Sequence, residues 1–252
     1  MKPKSTVQAL LCATAMSVTA MPAAAQDLDL SSRDALHQEI RTYILENPDI
    51  IREALIILEQ RRMEEEAAAA DAIVSSKAGE LFDDGFSYVG GNPDGSVTVV
   101  EFQDYRCGYC KRAHGEVQEL VSTDGDIRLI IKEFPILGED SVEASRRAIA
   151  TLMSQGPESY KRLTDALMAY SGPYNEGAWK RIARSADIDL DKTLATLDDP
   201  EIDRRIGATH ALARSLQISG TPTFVIGGKL VRGYVPLEDM REVVRIARKS
   251  QN

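Results

Sequence analysis

Apolar positions from Ser31 to about Leu81 recur at helical spacing, with Ala35, Ile40, Tyr43 and Ile44 preceding a break at Asn47-Pro48. Beyond the break, Ile50, Ile51, Ala54, Leu55, Ile57 and Leu58 form an apolar face too wide for a lone exposed helix. This stripe fades into the charged run Glu59 to Glu66 and then the alanine block Ala67 to Ala70, which favours helix. Two readings follow: a helix folded back on its own domain, or an arm that joins copies of the chain through residues 31–75. The second is the expectation, with the arm spanning residues 26–80.

The pattern then changes period. Gly90-Gly91-Asn92-Pro93-Asp94-Gly95 reads as a turn cluster and a boundary. Val97 to Phe102 is a near-continuous β-branched run, which predicts a strand buried on both faces. A helical stretch follows from the Asp104–Cys107 region to about Val121, and Ile127 to Ile131 predicts a second buried strand closing at Phe134-Pro135. From Ser141 to about Leu216, helical sets such as Ala144/Ala148/Leu152 and Trp179/Ile182/Ala183 succeed one another, punctuated by Gly172-Pro173. Strands return at Thr223 to Ile226 and Lys229 to Arg232, around a Gly227-Gly228 hairpin turn. Pro236 suits the first position of a final helix, Leu237 to Ala247. The expected organisation is an α/β body over residues 81–252, interrupted by a helical insertion at about 141–216.

The first residues do not fit that body. Lys2 and Lys4 precede a largely apolar run, Val7 to Val18, and Ala23-Ala24-Ala25 supplies small residues before Gln26. This is the layout of a secretory leader over residues 1–25, so the expected location is the periplasm. The apolar run is too short to span a membrane. A lipid anchor on Cys12 is disfavoured because the bulky Leu11 precedes it. Removing two lysines and no acids moves the formal charge from −9 to −11. An acidic protein is a poor candidate for nucleic-acid binding, which draws its affinity from basic patches.

Processing would leave Cys107 and Cys110 as the cysteines of the mature chain. A single Cys-x-x-Cys cannot staple distant segments, and closing so small a loop stabilises little, which points to chemistry. The pair stands where a buried strand gives way to a helix. Free N–H groups and the positive end of the helix dipole favour an anion there, so Cys107 is the expected thiolate nucleophile. Cys110, one turn on, would be the buried partner that resolves a mixed disulfide. A zinc site would need further ligands; His114 lies one turn beyond Cys110 and is more often solvated or packed. Covalent haem would need a histidine where Lys111 stands. Asp104 is expected to cap the helix.

Three segments together carry a family resemblance: Val99 through Lys111 with Cys107-Gly108-Tyr109-Cys110, Lys132-Glu133-Phe134-Pro135, and Ser219-Gly220-Thr221-Pro222-Thr223-Phe224. The chain from about Gly91 onward resembles the DsbA-like thiol–disulfide oxidoreductases, which have a thioredoxin fold with a helical insertion. Its arm, with Tyr43-Ile44-Leu45-Glu46-Asn47-Pro48, resembles that of ScsC-type members linked to copper tolerance. The resemblance implies a redox-active Cys107–Cys110 disulfide with no cofactor, and a cis-proline loop at Thr221-Pro222 that pairs with substrate backbone. It also implies that Glu101, six residues before Cys107, is a buried acid able to shuttle the proton of Cys110. Tyr109 is expected to tune redox potential and substrate contact.

The Gly-Tyr dipeptide and the threonine before the proline match the isomerase DsbC, where the oxidase DsbA has Pro-His and valine. With an oligomerising arm, this favours isomerase or reductase work on cysteine-containing exported proteins, with a membrane redox partner recycling the pair. A disulfide-donating oxidase and a copper-sequestering protein are the alternatives, the latter because soft thiolates suit Cu(I).

Overall fold

The computed structural model describes residues 30–250. The leader expected over residues 1–25 lies outside them. The chain divides into two compact units between Leu58 and Glu59. In the first are α1 (Leu30–Glu46) and the start of α2 (Asp49–Ser76), separated by the Asn47-Pro48 break. Leu36, Ile40, Tyr43, Leu45, Ile51 and Leu55 are all exposed there.

The second unit is built on a five-stranded sheet in the order β1-β3-β2-β4-β5. Its strands are β1 (Tyr88–Gly91), β2 (Val97–Gln103), β3 (Ile127–Glu133), β4 (Thr223–Ile226) and β5 (Lys229–Arg232). β2 and β3 run parallel, joined through α4 (Gly108–Asp124), and every other neighbouring pair is antiparallel. The sequence pattern conceals β1. Its glycines belong to a turn cluster, yet Tyr88 to Gly91 register against Ile131 to Arg128 of β3.

Strand alternation sorts the side chains into two layers. Val97, Val99, Ile127, Leu129, Ile131, Phe224 and Ile226 meet α4, α5 (Glu139–Ala169) and α9 (Leu237–Lys249). On the other face Val100, Phe102, Ile130 and Val225 pack with Leu212, Ala213 and Leu216 around α8 (Pro200–Ser215). Val74 of α2 and Leu81 of α3 (Ala78–Phe82) join that second layer. The last turns of α2 are therefore core of the larger unit.

The insertion runs from α5 through α6 (Glu176–Ser185) and α7 (Leu190–Thr196) to α8. α5 is broken at Gly156, whose φ of 83° is left-handed, followed by Pro157. At the β4–β5 hairpin, Gly227 and Gly228 both have positive φ, as a two-residue turn of this kind requires. A Cβ on Gly227 would also stand 2.2 Å from that of Ala247, so the turn needs glycine for the approach of α9.

Candidate active site

β2 delivers the chain into a tight turn after Gln103, closed by the Cys107 N–H on the Asp104 carbonyl at 3.1 Å. Cys107 is itself the N-cap of α4, and its sulfur accepts from the Cys110 N–H at 3.5 Å. The N-terminal helix geometry expected of the motif is thus present, with sulfur in the role usually taken by a side-chain oxygen. Asp104 does not cap the helix. Its Oδ1 accepts from the Arg106 N–H and the Ser141 hydroxyl, both at 2.7 Å. Its Oδ2 accepts from the N–H groups of Ile136 and Leu137, at 2.8 and 3.1 Å. It is buried between the turn and the β3–α5 loop, where those donors would otherwise be unsatisfied.

Both cysteines are free thiols. Cys107 keeps 7% exposure and Cys110 none. Cys107 is less open than its expected role suggests, because its Sγ donates to the Thr221 carbonyl at 3.2 Å. Thr221-Pro222 is a cis peptide bond, and the Pro222 carbonyl accepts from the Gly233 N–H at 3.0 Å. The fold therefore brings together two segments more than a hundred residues apart. Tyr109 projects outward with 62% exposure, its ring 6.3 Å from that of Tyr234. Tyr234 in turn donates to Glu116 at 2.6 Å and lies under the Arg112 guanidinium.

Below the motif, Glu101 faces the same layer as Val97 and Val99, by the alternation of β2. It is fully enclosed, and its Oε1 has no hydrogen-bond partner among the described residues. Burial, followed by the nearby charge of Glu133, pushes its carboxyl up to about 8. Cys110 is also raised, by burial first and then by the Glu101 charge. Both groups therefore favour their protonated forms, and the carboxyl stands close enough to act on the thiol.

The neighbours of the cysteines are tied to the insertion. Lys111 donates to the carbonyls of Leu167 and Tyr170. Arg106 donates to the Gly172 carbonyl at 2.9 Å and stands over the Tyr174 ring. His114 is bonded to Asp165 at 2.9 Å. Among the described residues, no group of three or more His, Cys, Asp and Glu could hold a metal ion.

Two residues at the end of β3 have roles that sequence reasoning missed. Lys132, wholly buried on the α8 side, donates to Asp84 at 2.6 Å and to the Glu80 carbonyl at 2.8 Å. Glu133, on the other face, accepts from Tyr105 (2.7 Å), Tyr160 (2.5 Å), Ser145 (2.7 Å) and Gln103 (3.4 Å). Two charged residues closing an otherwise apolar strand were the available signal.

A strand-to-helix cysteine pair against a cis-proline loop, on this sheet, defines a thioredoxin-fold thiol–disulfide oxidoreductase. The chain belongs to the thioredoxin family: the family model described as Thioredoxin matches residues 84–245. Residues 33–65 match the family model described as Copper resistance protein ScsC N-terminal domain. A thioredoxin-like oxidoreductase from Silicibacter pomeroyi is 44% identical, with 68% of this chain and 97% of that one covered, at a TM-score of 0.64. The thiol-disulfide exchange protein α-DsbA2 from Wolbachia pipientis is 28% identical over 72% of this chain and 97% of its own, at 0.68. Among curated proteins, a Na(+)/H(+) antiporter NhaA 3 from Salinispora tropica is 26% identical over 199 residues, 79% of this chain. The chain spans less than a third of that relative's length.

Proposed function

We propose that this oxidoreductase acts in the periplasm on disulfides of exported proteins, in the isomerase or reductase direction, with Cys107 as nucleophile and Cys110 as resolving thiol. The observation that carries the assignment is the 3.2 Å contact between Cys107 Sγ and the Thr221 carbonyl at the N-terminus of α4. A substrate strand laid along Thr221-Pro222 would present its disulfide to Cys107, the member of the pair that keeps some exposure. Cys107 thiolate attacks a substrate sulfur, a mixed disulfide forms, and the other substrate sulfur leaves as a thiolate. Cys110 then attacks Cys107 Sγ and releases the second substrate sulfur, completing a reduction. Alternatively, the freed substrate thiolate attacks elsewhere in its own chain and the disulfide is reshuffled. Glu101 takes or returns the Cys110 proton, while Pro222 and Tyr109 contact the substrate.

The isomerase direction is supported by the Gly-Tyr dipeptide, by Thr221, and by the exposed apolar face of α1 and α2, which would join copies through residues 31–75. The periplasmic location rests on the leader pattern over residues 1–25, and recycling would fall to a membrane redox partner. Refolding of a scrambled, disulfide-rich protein tests the direction. Recovery of its activity is expected; no recovery alongside fast oxidation of a reduced dithiol peptide would assign the oxidase role.

The match of residues 33–65 to a domain named for copper resistance favours a second reading, Cu(I) held by the two thiolates. Titrating the reduced protein with Cu(I) in competition with a chelator decides it, tight one-to-one binding lost in Cys107→Ser being the supporting result.

A further inference from the structure

Glu133 lies on the same face of the sheet as Glu101. In the parallel β2–β3 register Glu133 stands opposite Gln103, and Glu101 is the preceding position of β2 on that face. The two carboxyls thus share one enclosed layer, but their surroundings differ. Glu133 receives three hydroxyls and an amide, covering both of its oxygens. Those donors come from the turn before Cys107 (Tyr105), from β2 (Gln103), and from both halves of the broken α5 (Ser145 before Gly156, Tyr160 after it). Glu101 has an oxygen with no hydrogen-bond partner among the described residues. Two carboxylates cannot both be ionised cheaply in such a space, and the one with donors keeps the charge.

We propose that Glu133 is a positioning residue for the proton of Glu101: its fixed carboxylate keeps Glu101 protonated and ready to supply Cys110 as the disulfide opens. This rests on the thiol–disulfide reading above. In the step concerned, an incoming thiolate sulfur attacks Cys107 Sγ and the Cys107–Cys110 bond breaks. Its electron pair goes to Cys110, which takes the Glu101 proton, and Glu101 later regains one from water. The groups that act on Glu101 fit this account. Glu133 acts on it from β3, its own charge reaches Cys110 on α4, and Cys107, Tyr105 and Tyr160 belong to the same packed layer. Burial leaves Glu133 raised on balance as well, although all four of its donors oppose that rise.

The test is carboxyl ¹³C NMR on reduced full-length protein labelled at glutamate, with Glu101 assigned through Glu101→Gln. In the unsubstituted protein Glu101 should titrate near 8. In Glu133→Gln its midpoint should fall by about one pH unit. Tyr160→Phe, which keeps the packing and removes the 2.5 Å donor, should move it the same way by less. That variant decides the matter if Glu133→Gln does not fold. A Glu101 midpoint unmoved in the folded variants, or Glu101 ionised at pH 7 beside a protonated Glu133, overturns the proposal. The companion measurement is opening of the Cys107–Cys110 disulfide by dithiothreitol at pH 8. Glu133→Gln should slow it several-fold, and should add nothing in a Glu101→Gln background. A full extra loss in that background also overturns it. If dithiothreitol opens no disulfide while the titrations behave as stated, the thiol–disulfide reading fails and the carboxyl coupling stands.

Discussion

The sulfur of Cys107 donates to the Thr221 carbonyl at 3.2 Å, although the two residues are 114 positions apart. Cys110, three residues on, has no exposure at all. Their substitutions should therefore fail differently. Cys107→Ser should abolish attack on a model disulfide substrate and form no mixed disulfide. Cys110→Ser should still attack and should accumulate the mixed disulfide, visible as a reducible adduct by mass spectrometry. An adduct on Cys110 in Cys107→Ser would reverse the assignment.

Glu101 links this site to stability. Its carboxyl titrates near 8 when folded, against 4.5 as the ordinary value. Between those values the folded chain binds more protons than the unfolded one, so stability is fully present below about pH 4.5 and is lost as pH rises through 8. At about 1.4 kcal/mol per unit, this one group accounts for ~3–5 kcal/mol. Glu101→Gln should flatten that part of the pH profile in urea unfolding and be the more stable protein at pH 8. A profile parallel to the unsubstituted one would remove the argument.

A second buried charge makes an opposite prediction. Burial alone would raise Asp84, but the Lys132 ammonium and the N–H groups of Ser87 and Phe86 outweigh it and lower its carboxyl. Asp84→Asn leaves Lys132 enclosed with the Glu80 carbonyl and without its ion-pair partner, at a cost of about 3–5 kcal/mol. Asp84→Asn combined with Lys132→Met should recover most of that loss in chemical denaturation, because an apolar side chain suits the α8 layer.

The arm can be removed, but the cut matters. Deleting residues 26–58 should leave a folded, active monomer by light scattering if the exposed α1 face joins copies. Extending the deletion to residue 80 takes Val74 out of the core and Asp71 from its ion pair with Lys229. That longer variant should be clearly less stable. A monomer both with and without residues 26–58 would dispose of the oligomer.

Much of this architecture is legible in the residues. β2 and β3 declare themselves because strands buried on both faces are almost wholly apolar, and α1 and α2 because Asn47-Pro48 interrupts a 3.6-residue period. β1 is not legible: Gly90 and Gly91 carry turn chemistry, and only the register with β3 makes them strand. The cysteine pair is visible as a motif, yet the identity of the helix cap is not. Asp104 has the right chemistry for a cap, and three donors from beyond residue 135 claim it instead. Glu133 stays hidden for the same reason, since its partners Tyr105, Ser145 and Tyr160 are brought to it only by folding.

Asp104 also bears on how such a domain can change over time. Its carboxylate is the joint between the cysteine turn and the root of the insertion, through Ile136 and Leu137 of the β3–α5 loop and Ser141 in the first turn of α5. The insertion is thus anchored at its root to the catalytic turn, so it can be lengthened or rebuilt beyond α5 but not excised. A lineage that lost it would have to find new donors for a buried carboxylate three residues from its nucleophile.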